Sequence, residues 1–170
     1  MNFEDIKALD KTDPLADKRQ LFALPANTIY LDGNSLGVLP KSVQSRVSAV
    51  VSQQWGNDLI KSWNTHNWID LPITVGEKIA PLIGAAQGQV LCCDSISVNL
   101  FKLLCSALTL NTGRHRVVST QDNFPTDLYM VQGLSGLLGP DLCQLQMVDE
   151  QQIEAHLDES VAVLLLTQVT

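Results

Sequence analysis

The feature that most constrains this chain is the run Val161-Ala162-Val163-Leu164-Leu165-Leu166, six apolar residues in a row between Glu159-Ser160 and Thr167-Gln168. A strand wetted on one side alternates apolar and polar residues. An unbroken run suits a strand covered on both faces, as in parallel sheets flanked by helices. The residues before it continue the pattern. Arg116-Val117-Val118-Ser119-Thr120 and residues 144–148 are strand candidates, residues 126–138 read as a helix ending near Gly139-Pro140, and residues 150–158 read as another. Upstream, the apolar run at 89–93 leads into a helical stretch at 98–110 with Leu100, Leu103, Leu104 and Leu108 on one side. Strands alternating with helices predict an α/β fold, with helices around a mostly parallel sheet. Only residues 167–170 follow the last strand. No helix then covers it and no later strand pairs with it, so a truncated domain is expected.

Residues 1–24 read as an amphipathic helical arm, in which Asp13-Pro14 offers a cap and a proline at the first helical position. Pro25-Ala26-Asn27 breaks it. Thr28-Ile29-Tyr30-Leu31 is β-like and leads into the loop Asp32-Gly33-Asn34-Ser35-Leu36-Gly37, where glycines on either side of Asn-Ser permit unusual backbone angles. Pro40 opens a helix with Val43, Val47, Val50, Val51 and Trp55 on one face, and a further helix over 71–83 stops at Gly84.

Eleven Lys and Arg against 18 Asp and Glu leave a net charge of −7, which disfavours nucleic acid as a partner. Lys18-Arg19 and the pair Arg114 and Arg116 form no stripe and are expected on the solvated surface. Cys92, Cys93, Cys105 and Cys143 contain no CxxC pair and no zinc spacing, so buried free thiols are expected and no metal. The first residues lack a secretory pattern, and no apolar stretch reaches the roughly 18 residues of a membrane span. These features predict a soluble cytoplasmic protein with no membrane partner.

Three junctions carry the chemistry. Leu91-Cys92-Cys93 leads to Asp94-Ser95-Ile96-Ser97 ahead of a helix, the kind of place where backbone N–H groups and hydroxyls meet a phosphate. Val117-Val118 leads to Asn123-Phe124-Pro125-Thr126-Asp127, and Leu165-Leu166 leads to Thr167. If the strands are parallel, all three converge on one sheet edge. Plainer roles fit each junction singly: Ser95 or Ser97 as an N-cap, Phe124 as a core residue with Thr126 or Asp127 as a cap, Thr167 as a strand-end hydroxyl.

Taken together and in order, these strings resemble the N-terminal part of kynureninases. The resemblance is carried by Tyr30-Leu31-Asp32-Gly33-Asn34-Ser35-Leu36-Gly37 with Pro40, by Trp63-Asn64 and Trp68 ahead of Gly76-Glu77-Lys78 and Leu82-Ile83-Gly84-Ala85, by Asp94-Ser95-Ile96-Ser97-Val98-Asn99-Leu100, by Asn123-Phe124-Pro125-Thr126-Asp127-Leu128-Tyr129, and by Leu165-Leu166-Thr167-Gln168-Val169. It implies a fold-type-I, aminotransferase class V-like enzyme of aspartate-aminotransferase architecture that uses pyridoxal 5'-phosphate. Such an enzyme hydrolyses L-kynurenine, or 3-hydroxykynurenine, to anthranilate or its 3-hydroxy form and L-alanine in tryptophan catabolism, as a homodimer. The resemblance places Ile96 and Ser97 on the cofactor phosphate and Phe124 against its ring. Pro125, Thr126 and Asp127 complete that wall, Thr167 lines the same pocket, and Ser35 and Trp68 lie near the substrate. The role of His66 is open. Residues 1–40 are then an arm and substrate-side loop, and residues 41–170 an incomplete cofactor-binding large domain. The last lysine, Lys102, does not match the family's cofactor lysine, so the 170 residues alone are expected to be an inactive fragment without a catalytic residue. A cysteine desulfurase relative fits the motifs less well, and a non-catalytic α/β fragment is the other alternative.

Overall fold

The computed structural model describes residues 2–168. They divide into two compact units, Met1–Thr74 and Val75–Thr170.

The first unit is made of short helices and turns. Helix α1 (Phe3–Thr12) starts with a reciprocal capping box: the Asn2 side chain accepts the amide hydrogens of Glu4 and Asp5, and the Asp5 carboxylate accepts that of Asn2. The helix expected after Asp13-Pro14 is only a 3-10 segment, Ala16–Leu21, because its polar residues leave no apolar stripe to dock. The β-like run at 28–31 is not a strand; in this region the chain makes a single antiparallel bridge, Phe22 to Pro40. Helix α2 (Lys41–Ala49) continues into a π-helical stretch, Val50–Asp58, so the helix expected through Trp55 exists but widens halfway. Leu59, at φ 49°, ends it, and α3 (Ser62–Thr65) follows.

Helix α4 (Leu71–Ile79) tightens into a 3-10 turn, Ala80–Ile83, where Pro81 has no N–H to donate, and stops at Gly84 with φ 72°, as expected. A Cβ on Gly76 would lie 2.0 Å from the Val90 carbonyl oxygen, so glycine is what lets that backbone cross α4. The expected strand at 89–93 is absent: these residues lie in this crossing and pair with no strand.

The rest of the second unit follows the expected rhythm. Helix α5 (Ile96–Leu110), strand β1 (Arg116–Thr120), helix α6 (Pro125–Leu138), strand β2 (Gln144–Val148) and strand β3 (Val161–Leu165) form a parallel sheet of order β2-β1-β3 with both helices on one side. On that side Val117 packs with Leu104, Val131, Leu134 and Cys143. On the other, Val118 packs with Val148, Val161 and Ile153. The β2-to-β3 connection runs back past β1, and a right-handed crossover in that direction must use the face opposite α6; Ile153 lies there. This connection is two 3-10 turns, Glu150–Gln152 and Glu154–His156, instead of the expected helix. With Ile153 as its one apolar anchor, it has no stripe to hold an α-helix against the sheet.

Three further expectations are corrected. Strand β3 is fully buried only at Val161, and Leu164 is 40% exposed, because β3 is an edge strand among the described residues. Of the four thiols only Cys143 is buried, and burial raises its pKa; Cys92 is exposed. Arg116 is not a solvated surface charge. Its guanidinium donates to Asp158 Oδ2 at 2.6 Å, Ser160 Oγ at 2.8 Å, the His156 carbonyl at 3.3 Å and the Gln146 side chain, tying β1 to β2 and to the following connection.

Candidate functional site

In the second unit, the direction of α5 decides what meets at the sheet edge. The Asn111 side chain at its C-terminal end donates to the Ala162 carbonyl at 3.1 Å, at the start of β3. Rising about 1.5 Å per residue, α5 therefore runs antiparallel to β3 and brings Ile96 and Ser97 to the carboxyl edge of the sheet. Helix α6 begins at the same edge, directly after β1. Two helix N-termini, each with unpaired N–H groups and a partial positive charge, thus face the edge where α/β proteins hold ligands.

Ser95, not Ser97, is the N-cap of α5: its hydroxyl accepts the Val98 amide hydrogen at 3.4 Å. Ile96 is exposed and Ser97 half-buried. Asn99 steadies the approach by donating to the Cys93 carbonyl at 2.8 Å. Asp94 adopts φ 51° and pairs with Lys102, whose ammonium holds the Asp94 carboxyl below its usual pKa.

At the β1–α6 junction Phe124 is 53% exposed, which removes the reading of it as a core residue. It is extended, as the residue before a proline must be, and Pro125 opens α6. The Phe124 amide, which Asp127 would accept in a capping box, donates to Asn123 Oδ1 instead, so Asp127 in the first turn of α6 does not close such a box. The Thr167 hydroxyl, just past β3, lies 3.5 Å from Asp127 Oδ2 and bonds Asn123 Oδ1 more closely. Asn123 Nδ2 donates to Ser119 Oγ at 2.8 Å and to the Leu165 carbonyl at 3.2 Å. The structure thus gathers Phe124, Pro125, Thr126, Asp127 and Thr167 at one edge and leads α5 to it with Ile96 and Ser97. Asn123 and Ser119 are polar residues whose part here the sequence did not reveal; a hydroxyl and an amide at a strand end read as ordinary loop chemistry. A groove of about 450 Å³, lined by Thr120, Asp122, Glu150, Ile153, Leu166 and Thr167, opens beside them.

In the first unit Ser35 donates to Asp32 Oδ1 at 2.8 Å within its loop. Trp68 donates from its indole nitrogen to Gln54 Oε1 at 2.8 Å and meets Trp63 edge to face, with ring centres 6.4 Å apart. His66 Nε2 is 2.6 Å from Asp58 Oδ2. A cavity of about 900 Å³ between residues 16 and 29 contains none of the motif residues.

A three-stranded parallel sheet with helices against it and a polar carboxyl edge makes this an α/β fold, a class whose members hold ligands at that edge. No family model matches the chain. Among curated proteins it is 47% identical over 172 residues to the kynureninase of Burkholderia pseudomallei (strain 1106a), an alignment covering 98% of this chain and 41% of that protein. It is 46% identical to the kynureninase of Burkholderia mallei (strain SAVP1), with the same coverage. It is 45% identical over 174 residues to that of Deinococcus radiodurans, covering 99% of this chain and 42% of the relative. The chain is thus similar to curated kynureninases along nearly its whole length, and it spans about 41% of the length of those relatives.

Proposed function

We propose that these residues form the N-terminal part of a kynureninase that hydrolyses L-kynurenine or 3-hydroxykynurenine to the anthranilate and L-alanine, using pyridoxal 5'-phosphate. The observation that carries this reading is identity of 45–47% over alignments that cover 98–99% of the chain. When bound, the cofactor supplies an electron sink for cleavage next to the amino-acid carbon.

The residues present suit such a group. The first-turn N–H groups of α5 and the Ser97 hydroxyl are donors for a phosphate. The open face of Phe124 suits stacking on a heteroaromatic ring. The Asp127 carboxylate favours a protonated ring nitrogen, and Pro125 and Thr126 stiffen and complete the wall. The substrate-side roles of Ser35 and Trp68, and the division into an arm over 1–40 and a cofactor-binding part over 41–170, rest on the family resemblance. So does the homodimer, while the cytoplasmic location rests on the sequence composition. No helix among the described residues is long and apolar enough to cross a membrane.

Lys102 sits inside α5, ion-paired with Asp94, and does not match the lysine that holds the cofactor. The 170-residue chain by itself is therefore expected to release no anthranilate, and borohydride treatment with pyridoxal 5'-phosphate should leave no stoichiometric adduct. The intact enzyme should release anthranilate and alanine from L-kynurenine in equal amounts, followed by chromatography. Cofactor binding without that cleavage would remove the proposed activity, and turnover by the 170 residues would remove the claim about the lysine.

A further inference from the structure

We infer that Asn123 is the positioning residue of the proposed cofactor wall, the group that fixes Phe124, Asp127 and Thr167 relative to one another; this rests on the function proposed above. Asn123 is 3% exposed, and its contacts are to protein atoms. A side-chain amide has two hydrogens to donate and an oxygen with two lone pairs, and here all four are used. The nitrogen donates to Ser119 Oγ at 2.8 Å and to the Leu165 carbonyl at 3.2 Å. The oxygen accepts the Phe124 amide hydrogen at 2.6 Å and the Thr167 hydroxyl hydrogen. The donor half grips the ends of β1 and β3. The acceptor half grips the first residue of the wall and the hydroxyl beyond β3. Ser119 completes the joint by donating to the same Leu165 carbonyl at 2.8 Å.

The arrangement also settles where a proton goes. Thr167 has one hydroxyl hydrogen, and Asn123 Oδ1 is nearer to it than Asp127 Oδ2 at 3.5 Å. Asn123 Oδ1 accepts the closer hydrogen bond from that hydroxyl, which leaves the Asp127 carboxylate with only a long contact to it and able to face a cationic ring nitrogen. Without Asn123 the hydroxyl turns to Asp127, and Phe124 loses the bond that sets its entry into α6.

The test is made in the intact enzyme. Asn123→Asp keeps the size and the acceptor oxygens but has no hydrogens for Ser119 and Leu165. Ser119→Ala is a milder change to the same joint. Val131→Ala, a truncation within the core, is the reference for general destabilisation. Each apoenzyme is titrated with pyridoxal 5'-phosphate by fluorescence, and its melting temperature is recorded. Asn123→Asp should weaken cofactor affinity by about tenfold or more beyond the Val131→Ala reference, since buried groups lose their partners. Ser119→Ala should weaken it by about threefold with the melting temperature nearly kept. If Asn123→Asp does not fold, Ser119→Ala decides alone. Affinities equal to the reference overturn the inference. A wild-type enzyme that binds no cofactor overturns the proposed function instead, so the two failures are distinct.

Discussion

The two units spend their apolar residues differently. In the second, Val117, Val118, Val131, Leu134 and Cys143 are almost wholly buried around a three-stranded sheet. In the first, the buried residues among those described are Gln54 and Ser62, both polar, while Ile29, Leu31, Leu36 and Ile60 are more than 70% exposed. Gln54 and Ser62 belong to one joint: Gln54 Oε1 accepts from the Trp68 indole, and the Gln54 carbonyl accepts the Ser62 hydroxyl hydrogen at 2.6 Å. The second unit is thus held by burial of apolar surface, which is non-directional and scales with area. The first is held by caps and a polar joint, which are directional and individually small.

The largest effect should come from the second core. Leu134→Ala should destabilise that unit by about 2–5 kcal/mol, whereas Leu36→Ala in the first should change stability by less than about 0.5 kcal/mol. Urea unfolding followed by hydrogen exchange, resolved residue by residue, separates the two. Comparable losses at both sites would show that the first unit has an apolar core after all.

A smaller effect belongs to the polar joint. Gln54→Leu adds apolar surface yet should destabilise residues 50–68 by about 1–2 kcal/mol, because the Trp68 N–H loses its partner. Tryptophan emission should shift as Trp68 loosens. Unchanged emission and stability would mean that the joint is incidental.

The smallest expected effect is electrostatic and confined to acid. The Ser160 hydroxyl and amide, and then the Arg116 guanidinium, hold the Asp158 pKa at about 2, below its ordinary 3.8. A carboxyl with a lowered folded-state pKa contributes stability above its unfolded value and loses it as pH falls through the folded one. Asp158→Asn should therefore be less stable than wild type at neutral pH. The gap should close between pH 3.8 and about 2, read from melting curves in the second unit. A gap independent of pH would assign the role of Asp158 to hydrogen bonding without charge.

Much of this was legible beforehand where the signal is local. Apolar periodicity located α5, α6 and the three strands, and Gly84 marked a helix end, because spacing and φ preference act within a few residues. The ordered motifs pointed to the family, and the junctions after β1 and β3 meet at one edge for the reason expected, that parallel strands put their carboxyl ends together, whereas the Asp94–Ser97 junction follows no strand. What the sequence could not decide depends on partners distant in the chain. Residues 89–93 look like a strand but are not one, because a strand exists only through a neighbour and these residues instead lie across Gly76. Arg116 looked like surface charge until Gln146, His156 and Asp158 surrounded it. Asn123 looked like a loop residue, and only the parallel pairing of β1 with β3 brings Leu165 and Thr167, over 40 positions away, to its side chain. Local composition determined the elements by itself; tertiary pairing decided which polar groups are buried and paired, since a hydrogen bond needs both of its ends in place.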